Sequence, residues 1–267
     1  MMSTQNKDSL LSELKSIINI WHIGTRPGND GNAGNTLEDL LGVSENNLSL
    51  PDYGDIELKT QKYETGSLIT LFHNEPKPPR SVPNLLKALG WSHQEAGKMY
   101  SHKEMSFRST TYGHRFSVRG FTLTVQNNRV EFIFDPNQVK KNQLDSRGTY
   151  STYGDWLSDV NSRTKPNYKD ILPVYYDLDQ LTNKFVNKLD HTLFALCKTK
   201  TVSGVKQFRY EEIYLLKDLK TSMIPSLFMT GDLILDFDAR TGHNHGTKFR
   251  ISKNKLTDLF INSERVF

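Results

Sequence analysis

Two hydrophobic rhythms run along this chain. Leu10, Leu11, Leu14, Ile17 and Ile18 recur at helical spacing and predict an amphipathic first helix ending near residues 21–24. Thr36, with Asp39 three residues on, reads as the N-cap of a second helix whose Leu37, Leu40 and Leu41 face inward. Residues 56–60, Ile-Glu-Leu-Lys-Thr, follow the strand period of two, so Ile56 and Leu58 point into a core while Glu57 and Lys59 share the other face.

Residues 67–72 read as a buried strand and 84–89 as a short helix. Residues 116–125 and 130–134 flank Asn127-Asn128, a two-residue turn signal, and predict a β-hairpin. Helical periodicity returns over 178–189, and strands are predicted at 191–197, 208–216 and 233–239. The proline-rich stretch 76–83 and the polar stretch 142–166 read as loops. An α/β fold, with a mixed sheet flanked by helices, accommodates this order.

Composition narrows the class. A chain of 267 residues suits one sizeable α/β unit or two joined lobes. Its 34 Lys and Arg against 30 Asp and Glu give a net charge of +4, too mild by itself to argue for nucleic acid. The single cysteine, Cys197, excludes an internal disulfide or a multi-cysteine zinc site and, in an apolar run, reads as a small core residue. Neither a signal peptide nor a membrane-length apolar run is evident, so a cytoplasmic protein is expected.

The chemistry-bearing segment is residues 51–60, Pro-Asp-Tyr-Gly-Asp-Ile-Glu-Leu-Lys-Thr. The Tyr-Gly turn signal after Asp52 allows a hairpin that brings its carboxylate alongside Glu57. Two carboxylates can hold Mg²⁺, with substrate phosphate and water completing the shell, and the backbone carbonyl of Leu58 is a third candidate ligand. Lys59, on the Glu57 face, can orient the attacking water and neutralise transition-state charge. By parity Asp55 also falls on that face and competes with Asp52 for the ligand role. Spacing alone does not separate this set from a solvated strand carrying mixed charges.

Residues 36–41 (Thr-Leu-Glu-Asp-Leu-Leu), Pro51-Asp52, residues 56–60 and residues 67–72 together resemble the MvaI/BcnI restriction endonucleases, with MutH a more distant likeness. The resemblance resumes at Gly231-Asp232 and at residues 243–250, His-Asn-His-Gly-Thr-Lys-Phe-Arg. It implies a PD-(D/E)xK nuclease core, with two lobes around a DNA-binding cleft. It also implies a catalytic set of Glu38, Asp52, Glu57 and Lys59, favours Asp52 over Asp55, and gives Glu38 an assisting part in metal binding. The implied enzyme is a monomeric, Mg²⁺-dependent type II restriction endonuclease. It nicks each strand in turn at a CC-N-GG site (CCSGG or CCWGG) in duplex DNA, with a cognate DNA methyltransferase as companion in a bacterial cytoplasm.

Residues 1–200 are expected to form the catalytic lobe and 201–267 the DNA-recognition lobe. In the latter, Arg250 can donate two hydrogen bonds to guanine O6 and N7, His243 and His245 can address base edges, and Asp236 can accept from a cytosine N4 amine. Arg240 can grip a second guanine or a phosphate, although the chain carries Asp238 where family members have an arginine two residues after the aspartate. His73 resembles a family position aimed at the central base pair. Arg80, Arg108, Arg115, Arg119, Lys140 and Lys141 are candidate phosphate contacts, and Trp156 is expected to be buried against the sheet. Competing readings are a MutH-like mismatch-repair nicking endonuclease and a catalytically silent DNA-binding protein.

Overall fold

The computed structural model describes residues 4–28, 31–43, 50–146, 149–164 and 172–267. In chain order the elements begin α1 (Thr4–Leu14), β1 (His22–Ile23), α2 (Asn32–Leu40), β2 (Glu57–Lys62), β3 (Ile69–His73), α3 (Ser81–Leu89) and β4 (Trp91–Ser92). There follow β5 (Met105–Thr111), β6 (Arg119–Gln126), β7 (Arg129–Val139), α4 (Tyr153–Thr164), β8 (Val174–Asp177), α5 (Leu178–Leu189) and β9 (His191–Val202). The chain closes with β10 (Val205–Leu219), α6 (Ile224–Thr230), β11 (Leu233–Arg240), β12 (His243–Asn244), β13 (Lys248–Ile251), α7 (Lys253–Leu256) and β14 (Phe260–Arg265). Among the described residues, no helix is long and apolar enough to cross a membrane.

These elements form two compact units, each assembled from separate stretches of chain. The first takes residues 1–71, 182–222 and 252–267, the second 72–181 and 223–251. The expected boundary at residue 200 falls inside β9.

The first unit is built on a five-stranded sheet of order β1-β10-β9-β2, with β14 also on β10. β9 and β10 form a long antiparallel hairpin, whereas β2 joins β9 in parallel, Glu57 opposite Thr192 and Lys59 opposite Phe194. α2 packs on β2. The core gathers Leu10, Leu14 and Ile17 with Leu37, Ile56, Leu58, Leu193, Ala195, Phe208 and Tyr210. Parity along β2 therefore holds: Ile56 and Leu58 enter this core. Cys197 is fully buried there, and burial pushes its thiol up to about 12, so it acts as a small apolar residue.

The second unit contains a six-stranded sheet of order β3-β13-β11-β5-β4, with β12 on β11, and a three-stranded sheet β6-β7-β8. Its core is aromatic: Phe107 meets Phe121 and Phe237 at centroid distances of 5.6 and 5.5 Å, and Phe121 meets Phe132 at 5.2 Å. The predicted hairpin is present, with Asn127 and Asn128 both at positive φ (50° and 58°), as a primed two-residue turn requires.

Several expectations need correction. α2 begins at Asn32, so Thr36 is not its N-cap; the buried Thr36 hydroxyl instead donates back to the Asn32 carbonyl at 2.6 Å. Leu40 is exposed, not inward-facing. The polar stretch read as a loop contains α4, which buries Tyr153 and Trp156. Arg119 is not a phosphate contact. It is 5 % exposed, one guanidinium nitrogen reaches both oxygens of buried Asp145 at 3.1 Å, and the guanidinium lies 4.1 Å from the Trp91 ring centre and 4.8 Å from that of Tyr153.

Candidate active site and base-reading face

A tight reversal places the acids. Tyr53 and Ile56 exchange two backbone hydrogen bonds of 2.9 Å, and Gly54 turns the chain at φ +62°, a region L side chains avoid. Asp52 is thereby folded back along the start of β2, where its Oδ2 accepts the Leu58 backbone N–H at 3.0 Å. Asp55 occupies the turn itself and not the strand, so parity does not govern it; its carboxylate lies 3.5 Å from His191. Asp52 is the aspartate that the reversal brings to Glu57.

Glu57 is only 1 % exposed. Burial raises its pKa, the neighbouring Asp52 charge adds to that, and Lys59 and Lys188 oppose it. Its Oε1 pairs with Lys59, two residues along the same face. Its Oε2 lies 2.7 Å from the Lys188 ammonium, which also stands 3.4 Å from Asp52 Oδ1. Lys188 sits in the last turn of α5. No local signal marks it, because only the parallel pairing of β2 with β9 carries the end of α5 to Glu57.

The donor set suits a hard divalent cation. Two carboxylates share one side of β2, and β2 is an edge of its sheet. The N–H and C=O of a strand residue leave the same edge. Since the Leu58 N–H is taken by Asp52 on the side away from β9, its carbonyl faces that side too. Two carboxylates and a backbone carbonyl are acceptable Mg²⁺ donors, although no cluster of three or more His, Cys, Asp or Glu occurs among the described residues. Glu38 is half-buried on α2.

In the second unit the central strands present a polar ladder. Asp236 and Asp238 alternate on β11 with buried Phe237, and register sets Asp236 between Thr110 and Lys248 and Asp238 opposite Arg108. Arg250 Nη1 lies 2.9 Å from Asp236, whose other oxygen accepts from Thr110 at 3.0 Å. Burial raises the Asp238 carboxyl, but Lys248 at 3.0 Å, with Arg108 and His245, outweighs it and leaves the group below the usual range. Arg240 pairs with Glu104 at 3.0 Å and stacks over Tyr100.

His243 and His245 are exposed, their rings 6.2 Å apart and nearly parallel. Glu75 pins their loop through the Asn244 amide (2.8 Å) and the Thr247 N–H (3.2 Å). Gly246, at φ +82°, lies against His73, where a Cβ would meet the ring at 3.2 Å. The structure thus brings Asp236 to Arg250 and His73 to the histidine loop. Glu75, Arg108 and Lys248 complete this face without having been singled out as base readers from sequence.

Glu57 and Lys59 on β2, with Asp52 folded back beside them, form one polar cluster, and the second unit carries another, an arrangement that fits the class of restriction endonucleases to which the family comparison assigns the chain. The profile of the MvaI/BcnI restriction endonuclease family matches residues 11–260, and the chain belongs to that family, whose members cleave DNA. Its fold is similar to that of the restriction endonuclease MvaI solved in complex with cognate DNA substrate, at 23 % identity and a TM-score of 0.75, each chain covered in full. It is also similar to MvaI solved in the absence of DNA, at 22 % identity and a TM-score of 0.52, again over the whole of both chains. A search of curated proteins found no match.

Proposed function

We propose that the chain is a Mg²⁺-dependent type II endonuclease, monomeric in solution, which cuts duplex DNA at a CC-N-GG site by nicking one strand and then the other. The observation that carries this reading is the juxtaposition of Asp52 and the buried Glu57 beside Lys59. When bound, the metal ion supplies charge stabilisation at the phosphate and an acidified water. Asp52, Glu57 and the Leu58 carbonyl would hold it. Lys59 would orient the attacking water and offset negative charge on the phosphate, and Glu38 would assist metal binding from α2. A cytoplasmic enzyme of this kind needs a cognate methyltransferase to protect host DNA.

Digestion of phage DNA with Mg²⁺, followed by sequencing of the ends, tests the proposal. Uniform ends within CC-N-GG are expected; random ends would exclude a site-specific enzyme. The MutH-like alternative would show itself as little cutting by the isolated protein.

Specificity is assigned to the second unit. Arg250 reads a guanine, Asp236 a cytosine amine, Arg240 a second guanine or a phosphate, and His243, His245 and His73 the remaining edges. Ion pairs to Asp236 and Glu104 hold Arg250 and Arg240 in place before DNA arrives. Arg250→Ala should cost about 1–3 kcal/mol of discrimination at one base pair. Competition with singly substituted duplexes in Ca²⁺ measures this, and an equal loss for all sequences would move Arg250 to the phosphate contacts.

A further inference from the structure

Lys188 lies outside the acid motif, yet its ammonium is held by three oxygens: Asp52 Oδ1 at 3.4 Å, Glu57 Oε2 at 2.7 Å and the Leu50 carbonyl. Such an oxygen set suits a hard cation as well as an ammonium. The lysine stem is flexible and its side chain is 14 % exposed, so the charge can withdraw toward solvent. Lys184, one turn earlier on α5, carries a like charge whose repulsion, after burial, helps lower its own pKa. Lys59 holds the other oxygen of Glu57, so release of Lys188 does not leave that carboxylate without a counter-charge.

We infer that Lys188 is a positioning residue: it keeps Asp52 and Glu57 together in the metal-free enzyme and is displaced when a divalent cation takes both carboxylates. The inference rests on the metal-dependent reading above. It differs from ordinary charge neutralisation in requiring the ammonium to leave.

Amine acetylation of the wild-type protein, read by peptide mass spectrometry with and without Ca²⁺ and in the absence of DNA, tests displacement directly. Lys188 labelling should rise several-fold with Ca²⁺ while surface lysines stay constant. Calorimetric titration of Lys188→Met and Lys188→Gln should show Ca²⁺ binding about tenfold tighter than wild type. Tighter binding with unchanged Lys188 labelling would reduce its role to electrostatics and overturn displacement. Unchanged or weaker binding in either variant would overturn it too. If the wild type takes up no Ca²⁺ or Mn²⁺, the metal reading itself fails, a result distinct from the other two.

Discussion

Glu57→Gln is expected to abolish DNA cleavage, lowering the single-turnover rate by about three orders of magnitude, while the protein stays folded. The side chain keeps its volume and an oxygen for Lys59 or Lys188, but loses the charge that ties a metal ion to β2, and metal-ion charge stabilisation contributes several kcal/mol to such barriers. Folding should tolerate the change. Burial raises the Glu57 pKa, so the native state holds this proton more tightly than the unfolded chain does. Stability conferred by the protonated form is present below the usual glutamate range and is lost as pH rises through the raised value. Glu57→Gln should remove that loss, giving a flatter stability profile between the usual glutamate range and the raised value. Supercoiled-plasmid cleavage and denaturant titrations across pH measure the two effects, and undiminished cutting would exclude Glu57 from the catalytic set.

The second large effect lies in the fold of the other unit. Asp145→Ala is expected to destabilise the protein by about 3–5 kcal/mol, because it strands the Arg119 charge among Trp91, Tyr153 and Trp156. Breaking a buried pair costs more than the pair contributes, since the remaining ion keeps its desolvation penalty. Asp145→Asn, which retains an acceptor, should cost less. Urea unfolding followed by tryptophan fluorescence reports on this environment directly; a loss under about 1 kcal/mol would show that water replaces the carboxylate.

What could be read from sequence follows from how local each signal was. The alternation of Ile56 to Lys59 and the Asn127-Asn128 turn are set by neighbouring residues, and both were legible. α5 occupies the predicted span because its apolar spacing is unbroken. α2 starts earlier than its sequence suggests. Its Gly- and Asn-rich first turn is held by contacts from outside the helix, with Asn32 accepting from the Arg26 backbone N–H and the Ala33 carbonyl accepting from the Tyr210 hydroxyl. α4 is not legible in sequence because its polar segment has only a few large anchors, chiefly Tyr153, Trp156 and Leu157, to reveal its buried face.

At the site, Asp52, Glu57 and Lys59 were legible together because one strand and one reversal hold them. The position of Asp55 required knowing where the turn ends and the strand begins. Lys188 was invisible, since its membership depends on which strand β2 pairs with. The same reason hides Glu75, whose partners Asn244 and Thr247 come from a distant stretch of chain.

The parallel pairing of β2 with β9 also sets when and how firmly the acid cluster is assembled. Glu57 can meet Thr192 and Lys188 only after most of the chain has been synthesised, because the contact joins segments far apart in sequence. β2 is an edge strand, so the acid cluster depends on one ladder and on the packing of α2 and the core beneath it.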